Sequence, residues 1–499
     1  MPDESPMDDR IPPAPPDHVD VLIVGAGLSG IGAAWHLQRH CPGRTYAIVE
    51  ARGAIGGTWD MFRYPGIRSD SDMFTLGYSF RPWTGEKAIA DGADIRAYVE
   101  GVARDFGIDR AIRFHHEVVA AAWSSADARW TVELARRPDG ERVRMTCGFL
   151  FACSGYYDYD KGYLPDFPGM ADYKGTRVHP QFWPEDIDWS GKRVLVIGSG
   201  ATAMTLVPAM AQTAAHVTMV QRSPTYAVAR PARDRLADRL RRRLPMGLAY
   251  TLTRWKNVLM GMYFYRLCRR DPARARGLLL GGVRQMLGPD YDVGKHFTPT
   301  YNPWTQRLCL IPDADLFRAI RRDKVSVVTD EIERFTATGL KMKSGVELDG
   351  DIVVTATGLT LKGWGGMALS VDGRAIDPAS TMTYKGMMFT GVPNFALWSG
   401  YTNASWTLKA DLVSEHMCRL LNRMQSRGWT TVAPRRDPDV TPEPWLDLSS
   451  NYILRSLDTL PKQGSKRPWK LYQNYIRDLL TLRFGTVADK ALEFSTPKR

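Results

Sequence analysis

The sequence predicts an α/β protein of two open parallel-sheet domains, the second inserted in the first and carrying a helical excursion. Three observations predict it. A strand, a glycine-rich turn, a helix and a second strand follow one another from Val19 to Glu50. The same succession returns from Val194 to Val220. Two apolar runs, 149–155 and 351–358, each end in a small-residue turn. They read as the strands that close one domain and hand the chain to the other.

The run Val19 to Val24 is short, apolar and rich in β-branched residues, as a strand buried on both faces should be. Gly25-Ala26-Gly27-Leu28-Ser29-Gly30 follows, then a helical pattern from Ile31 to His40, then the strand Tyr46 to Val49. In this turn Gly25 serves the tight bend, Gly27 lets the backbone approach a pyrophosphate, and Gly30 lets helix and strand pack closely. The helix start offers free N–H groups to phosphate. Glu50 stands 25 residues after Gly25, where a carboxylate can accept both ribose hydroxyls of an adenosine. With strand, helix and acid all in place, this is a Rossmann-like dinucleotide-binding unit rather than a glycine-rich loop.

In the second unit the strand Val194 to Ile197 leads into Gly198-Ser199-Gly200-Ala201-Thr202-Ala203, then a helix, then the strand Val217 to Val220. The terminal acid is missing, and Gln221-Arg222-Ser223 stands there instead. An arginine at this point accommodates a 2′-phosphate, which its planar fork grips bidentately. Ser223 adds a hydroxyl donor. One unit thus suits a free ribose and the other a phosphorylated one. The economical assignment is FAD at the first and NADPH at the second.

The chain divides accordingly. Residues 1–18 form an N-terminal arm, 19–158 the first part of the FAD domain and 159–223 the first part of the NADPH domain. Residues 224–305, rich in Arg, Leu and Met, show helical periodicity and no strand-like alternation. Residues 306–374 complete the NADPH domain and 375–499 the FAD domain.

Composition excludes several classes. Hydrophobic residues make up 44% of 499, which excludes a wholly disordered or fibrous chain. The six cysteines include no C-x-x-C pair, so neither a zinc ribbon nor a redox dithiol is signalled. They read as buried free thiols in a reducing compartment, the cytoplasm. No loop has metal-ligand spacing, and neither H-E-x-x-H nor G-x-S-x-G occurs. The most apolar helical stretch, Met246 to Cys268, is broken by Arg254, Lys256 and Arg266 and does not suit a membrane span. The acidic, proline-rich start is not a secretory signal. The net charge of +12 is concentrated in Arg230 to Arg243. That segment reads first as a solvated helix face and second as a weak membrane-surface contact; no nucleic-acid motif accompanies it.

Tyr173-Lys174-Gly175-Thr176-Arg177-Val178-His179-Pro180-Gln181-Phe182-Trp183 lies just before the second glycine turn. It resembles the FxGxxxHxxxW fingerprint of type I Baeyer–Villiger monooxygenases, with Tyr173 in place of Phe. The resemblance runs over essentially the whole chain after the arm. Gly56 to Trp59 and Arg63 to Asp70 look like the family's flavin-side loop, and Asn302 to Arg307 looks like the segment carrying its active-site arginine. Gln306 stands where many members have Lys, which places more of the NADPH preference on Arg222.

The resemblance implies an FAD-containing, NADPH- and O2-dependent enzyme. It would convert ketones to esters or lactones through a C4a-peroxyflavin and also oxidise thioethers or thioamides. It implies that Arg307 stabilises negative charge at the reacting oxygen, with Asp70 positioning the guanidinium. It places FAD contacts at Gly25, Gly27, Ser29, Gly30, Glu50, Thr58, Trp59, Asp60, Met61, Asp70 and Val118. NADPH contacts fall at Gly198, Ser199, Gly200, Ala201, Thr202, Ala203, Arg222 and Ser223, with Arg68, Ser69 and Asp70 near the nicotinamide. His179 and Trp183 read as linker anchors. The rival class is an S- or N-oxidising flavin-containing monooxygenase.

Overall fold

The computed structural model describes residues 17–496. The arm expected over residues 1–18 lies outside the described residues, except for its last two, which lead into the first strand. That strand, β1 (His18–Val24), is followed by α1 (Leu28–His40) and β2 (Tyr46–Val49). Next come α2 (Thr58–Met61), α3 (Met73–Leu76) and α4 (Gly92–Asp105). β3 (Ile112–Arg113), β4 (His116–Ser124), β5 (Arg129–Arg136) and β6 (Arg142–Ala152) then extend the sheet. β1 lies parallel between β2 and β6, with Ile23 opposite Ile48 on one side and Phe151 on the other. Val21 and Ile23 face one core, with α1, while Leu22 and Val24 face a second core. Burial on both faces is the reason the run is continuously apolar.

The chain leaves through β7 (Tyr157–Gly162) into the second domain. There β8 (Thr176–Val178), β9 (Arg193–Ile197), α5 (Ala201–Met210) and β10 (His216–Gln221) are followed by β11 (Ala227–Arg230). Four helices make the excursion: α6 (Arg235–Arg243), α7 (Met246–Arg270), α8 (Pro272–Leu287) and α9 (Val293–Phe297). β12 (Cys309–Pro312), α10 (Asp315–Arg321) and β13 (Val325–Thr329) come next. β14 (Ile332–Phe335), β15 (Gly339–Met342) and β16 (Glu347–Asp349) form an antiparallel sheet, and β17 (Ile352–Thr355) follows. The parallel sheet of this domain runs β13-β10-β9-β17-β8. The chain returns through β18 (Leu359–Leu361), which pairs antiparallel with β7. The two crossings between domains therefore form one ribbon.

Two sequence expectations need correction here. Residues 224–305 do contain a strand: β11 pairs in parallel with β12. Four residues whose partner lies about eighty positions away leave no local alternation to read. The return to the first domain also comes before residue 375. β19 (Ala368–Val371) runs parallel to β4, with Leu369 opposite Ala121, and β20 (Arg374–Ile376) pairs with β19. Sheet-edge pairing is non-local, so the boundary was invisible along the chain. A hairpin, β21 (Thr383–Tyr384) and β22 (Met388–Phe389), then leads to β23 (Phe395–Leu397), which pairs with β6. α11 (Trp406–Arg427), α12 (Asn451–Leu454) and α13 (Tyr475–Asp478) follow toward the C-terminus.

The excursion clamps back onto the first domain. Arg254 on α7 is buried, and its Nη1 donates to the carbonyl oxygens of Phe74 and Gly77 at 2.8 Å each. Its Nη2 lies 3.7 Å from the Asp411 carboxylate on α11, which also faces His36 at 3.7 Å. Arg254, an interruption in the apolar run, is thus an internal tie. Among the described residues, no helix is long and apolar enough to cross a membrane. All six cysteines are free and buried.

Candidate active site

One cavity of about 960 Å³ reaches both glycine turns. The turns are built alike. Gly25 has φ +102°, and a Cβ there would sit 2.7 Å from the carbonyl oxygen of Cys153 at the end of β6. Gly198 has φ +135°, and a Cβ there would collide with the carbonyl oxygen of Ala356 at the end of β17. Each closing strand ends against its own glycine, so both positions exclude a side chain. Gly27 and Gly200 are the N-caps of α1 and α5, with no side-chain cap and no acidic residue in the first turn. The first N–H groups of both helices are therefore left for an anion in the cavity.

In the first domain Gly25, Gly27, Ser29, Glu50, Thr58, Trp59, Arg68, Ser69, Asp70 and Val118 line the cavity. Glu50 is 5% exposed; its carboxylate accepts from the N–H groups of Ala26 at 2.8 Å and Arg52 at 2.9 Å. Burial raises its pKa, with those two N–H bonds opposing the shift. Gly30 does not reach the cavity: a Cβ there would collide with the carbonyl oxygen of Gly25, so its role is close helix–strand packing. Asp60 and Met61 do not line the cavity either, against expectation. α2 turns them inward, and Asp60 is a buried hub that ion-pairs with Arg52 at 2.7 Å, Arg63 at 3.0 Å and Arg96 at 3.2 Å.

In the second domain Gly198, Ser199, Gly200, Ala201, Thr202, Arg222 and Ser223 line the cavity. Ala203 does not; it is buried in the core beneath α5, the counterpart of Gly30. Gln221, at the usual acidic position, is buried and donates to the His296 carbonyl and the Thr329 hydroxyl, both at 2.8 Å. That lock leaves Arg222 as the side chain presented to the cavity. Ser199 donates to the Ser223 carbonyl at 2.9 Å, tying turn to strand end.

Between the turns, Arg307 Nη2 lies 3.2 Å from Asp70 Oδ2. Both side chains keep over a third of their surface accessible, and both line the cavity. The Asp70 charge raises the Arg307 pKa above its ordinary value. Tyr156, Tyr157 and Tyr452 stand near enough to feel that charge. Burial pushes the Tyr452 phenol up to about 12 and that of Tyr157 higher, so both stay neutral. Cys309 also lines the cavity, its thiol pushed up to about 12 by burial.

Several wall residues carry no sequence signal. Trp406 Nε1 donates to Ser29 Oγ at 2.7 Å, and Tyr401, Tyr452 and Arg455 complete the wall from the C-terminal part. Arg455 stacks over the Tyr163 ring at 3.4 Å. Ser449 donates from its N–H to the Thr305 carbonyl at 2.9 Å, joining this part to the segment that carries Arg307. Only proximity in space assembles these groups.

The fingerprint segment sits on the ribbon between domains. His179 Nδ1 accepts from the Gln181 N–H at 3.2 Å, and its ring packs over Gly162 of β7. Gln181 donates to the Asp158 carbonyl at 2.8 Å. Trp183 meets Trp189 edge-on at 5.9 Å against the core of the second domain. Neither His179 nor Trp183 lines the cavity. Tyr173 is buried and its hydroxyl donates to the Gly350 carbonyl at 2.8 Å, which accommodates Tyr where the fingerprint has Phe.

The residues fit two dinucleotides. Both phosphate cradles are open and Glu50 faces the cavity. The buried Ser154 hydroxyl, also on the cavity wall, has no protein partner among the described residues. Two such sites meeting at a fixed cation suit an oxidoreductase that holds two dinucleotides face to face. The comparisons agree. The flavin-binding monooxygenase-like family profile matches residues 88–240, and that of the NAD(P)-binding Rossmann-like domain matches residues 23–85. The FAD-containing monooxygenase EthA of Mycobacterium tuberculosis is 57% identical over 96% of this chain and 98% of its own length. EthA of Mycolicibacterium smegmatis is 51% identical over 96% and 97%. Among solved structures, an oxidised steroid monooxygenase bound to NADP superposes with a TM-score of 0.75 at 23% identity, covering 96% of this chain and 99% of that one. An open cyclohexanone monooxygenase gives 0.72 at 20%, covering 96% and 100%. The chain belongs to the EthA family of FAD-containing monooxygenases.

Proposed function

We propose that this enzyme converts ketones to esters or lactones, placing one oxygen atom of O2 beside the carbonyl, and that the same site oxidises thioethers or thioamides. The observation that carries this reading is the Arg307–Asp70 pair in a cavity shared by two dinucleotide cradles. We assign FAD to the turn at Gly25, with Glu50 on its ribose and Thr58, Trp59 and Val118 beside it. We assign NADPH to the turn at Gly198, with Arg222 and Ser223 on the 2′-phosphate and Arg68, Ser69 and Asp70 toward the nicotinamide.

FAD held at the first turn would supply the two-electron chemistry and the activation of O2. The chain supplies position and charge. Negative charge develops on the reacting oxygens as the new C–O bond forms, and a permanent cation fixed beside them stabilises that state more than the ground state. Arg307 is such a cation at every working pH. Asp70 holds the guanidinium in place. The neutral phenols of Tyr157 and Tyr452 fill space near the guanidinium without cancelling its charge. The six buried free thiols suit a reducing compartment, and we place the enzyme in the cytoplasm.

Arg307→Ala tests the role. The variant should purify with FAD bound and lose ester formation by about 10²–10³-fold, the usual effect of removing one oxyanion donor. Undiminished ester formation would remove Arg307 from the chemistry.

A further inference from the structure

We infer that α7 is a docking face for an anionic lipid bilayer, and that apolar substrate passes from the bilayer through this face to the cavity. The second half rests on the ketone-oxygenating reading; the first does not.

α7 is apolar on both sides. It buries Ala249, Tyr250, Val258 and Cys268 with Thr253 and Arg254, yet also exposes Leu248, Leu252, Trp255, Leu259 and Tyr263. Those five positions recur every three or four residues and form one stripe about four turns long. Leu252 is 46% exposed, Leu259 51% and Tyr263 66%. Tyr475 of α13 meets Trp255 at 5.8 Å, and the exposed Leu480 and Phe484 follow α13 in the chain. A large apolar patch of this kind marks an interaction site rather than an ordinary solvated surface.

Charge identifies the partner. Residues 235–276 hold twelve Lys and Arg against two Asp. Arg235, Arg239, Arg242 and Arg243 of α6, which packs on α7, are exposed, as are Arg266 and Arg270 at the far end of the stripe. None of these six is in an ion pair among the described residues. An apolar stripe with a cationic margin, on a helix too charged to span, matches a helix lying in the plane of an anionic lipid surface. A second copy fits poorly, because a two-fold contact would bring the same patch, arginines included, against itself.

The inner side of α7 explains the coupling to substrate. Val258 packs with Tyr401 and Leu408, with Met262, Ala404 and Tyr475 around them. Tyr401 and Ala404 line the cavity. The inner side of α7 thus packs directly against residues of the cavity wall.

The test uses the FAD-loaded full chain and sedimentation with vesicles of phosphatidylcholine alone or with phosphatidylglycerol. Binding should require phosphatidylglycerol and weaken as salt rises. Leu252→Glu with Leu259→Glu should lower vesicle affinity by at least about tenfold. The same variant should keep the wild-type melting temperature and its turnover of a water-soluble ketone, while turnover of a long-chain ketone dissolved in the vesicles falls with binding. Equal vesicle binding by wild type and variant would overturn the assignment of the face. Wild type that ignores vesicles but forms a dimer abolished by the two glutamates would overturn it in favour of self-association. Vesicle binding lost by the variant with turnover of the dissolved ketone unchanged would overturn substrate delivery. Because binding is read without turnover, failure of the ketone reading would leave the docking result intact.

Discussion

Gly200→Ala separates ligand contact from protein packing. Gly200 has an ordinary φ of −79° as N-cap of α5, and a Cβ added there meets no protein atom within 4 Å. Folding should therefore be affected by no more than about 0.5 kcal/mol, as for other surface positions. The assigned NADPH pyrophosphate is another matter. A methyl group on the turn would hold it away from the N–H groups of α5 and weaken one charge-assisted hydrogen bond, worth about 1.5–3 kcal/mol. That is a loss of roughly 10- to 150-fold in NADPH affinity. The assay is anaerobic bleaching of the flavin absorbance against NADPH concentration, beside a thermal melt and the FAD-to-protein ratio. The expected result is a raised NADPH dissociation constant with melting temperature and FAD content unchanged. Gly198→Ala is the contrast: its Cβ would collide with the Ala356 carbonyl, so the melt itself should fall. An unchanged NADPH constant in Gly200→Ala would refute the assignment of NADPH to this turn.

Further substitutions address the remaining assignments. Arg222→Gln should raise the KM for NADPH by about ten- to a hundredfold through loss of a charged hydrogen bond, leaving NADH rates little changed; equal loss with both would contradict a phosphate contact. Glu50→Gln replaces an acceptor pair with one acceptor and one donor, so the FAD-to-protein ratio after gel filtration should fall while the chain stays folded. Asp411→Ala leaves the buried Arg254 charge uncompensated and should cost about 3–5 kcal/mol in urea unfolding. Burial alone would raise the Asp411 pKa, but contact with His36, the Arg254 charge and the Ser79 N–H outweigh it, and the folded value is lowered. Its stabilisation is therefore complete above the ordinary carboxylate value of about 3.9 and is lost as pH falls through the lower folded value. The wild-type minus Asp411→Ala stability difference should shrink only in that acid window.

Legibility followed locality. The two glycine turns, Glu50 and Arg222 were readable because strand, turn and helix supply their own context within about thirty residues. Arg307 and Asp70 came from a family resemblance, since nothing in their spacing brings positions 70 and 307 together. Contiguous residues in the short α2 helix point to different sides, which the sequence does not show: Thr58 and Trp59 face the cavity while Asp60 turns into three arginines. β11 and β19 were missed because their partners, β12 and β4, are distant in sequence. Trp406 and Tyr452 were beyond reach for the same reason. Arg254 looked like an interruption in an apolar helix, and only its burial against α3 and Asp411 shows it to be an internal tie.

The most direct measurement of the central claim is the fate of labelled oxygen. FAD-loaded enzyme is given NADPH, ¹⁸O₂ and one molecule carrying both a ketone and a thioether, and mass spectrometry locates the label. The account predicts label in an ester, in the oxygen inserted beside the former carbonyl, with sulfoxide as a second product. Sulfoxide alone, with the ketone untouched, would contradict it and place the enzyme among S-oxidising monooxygenases.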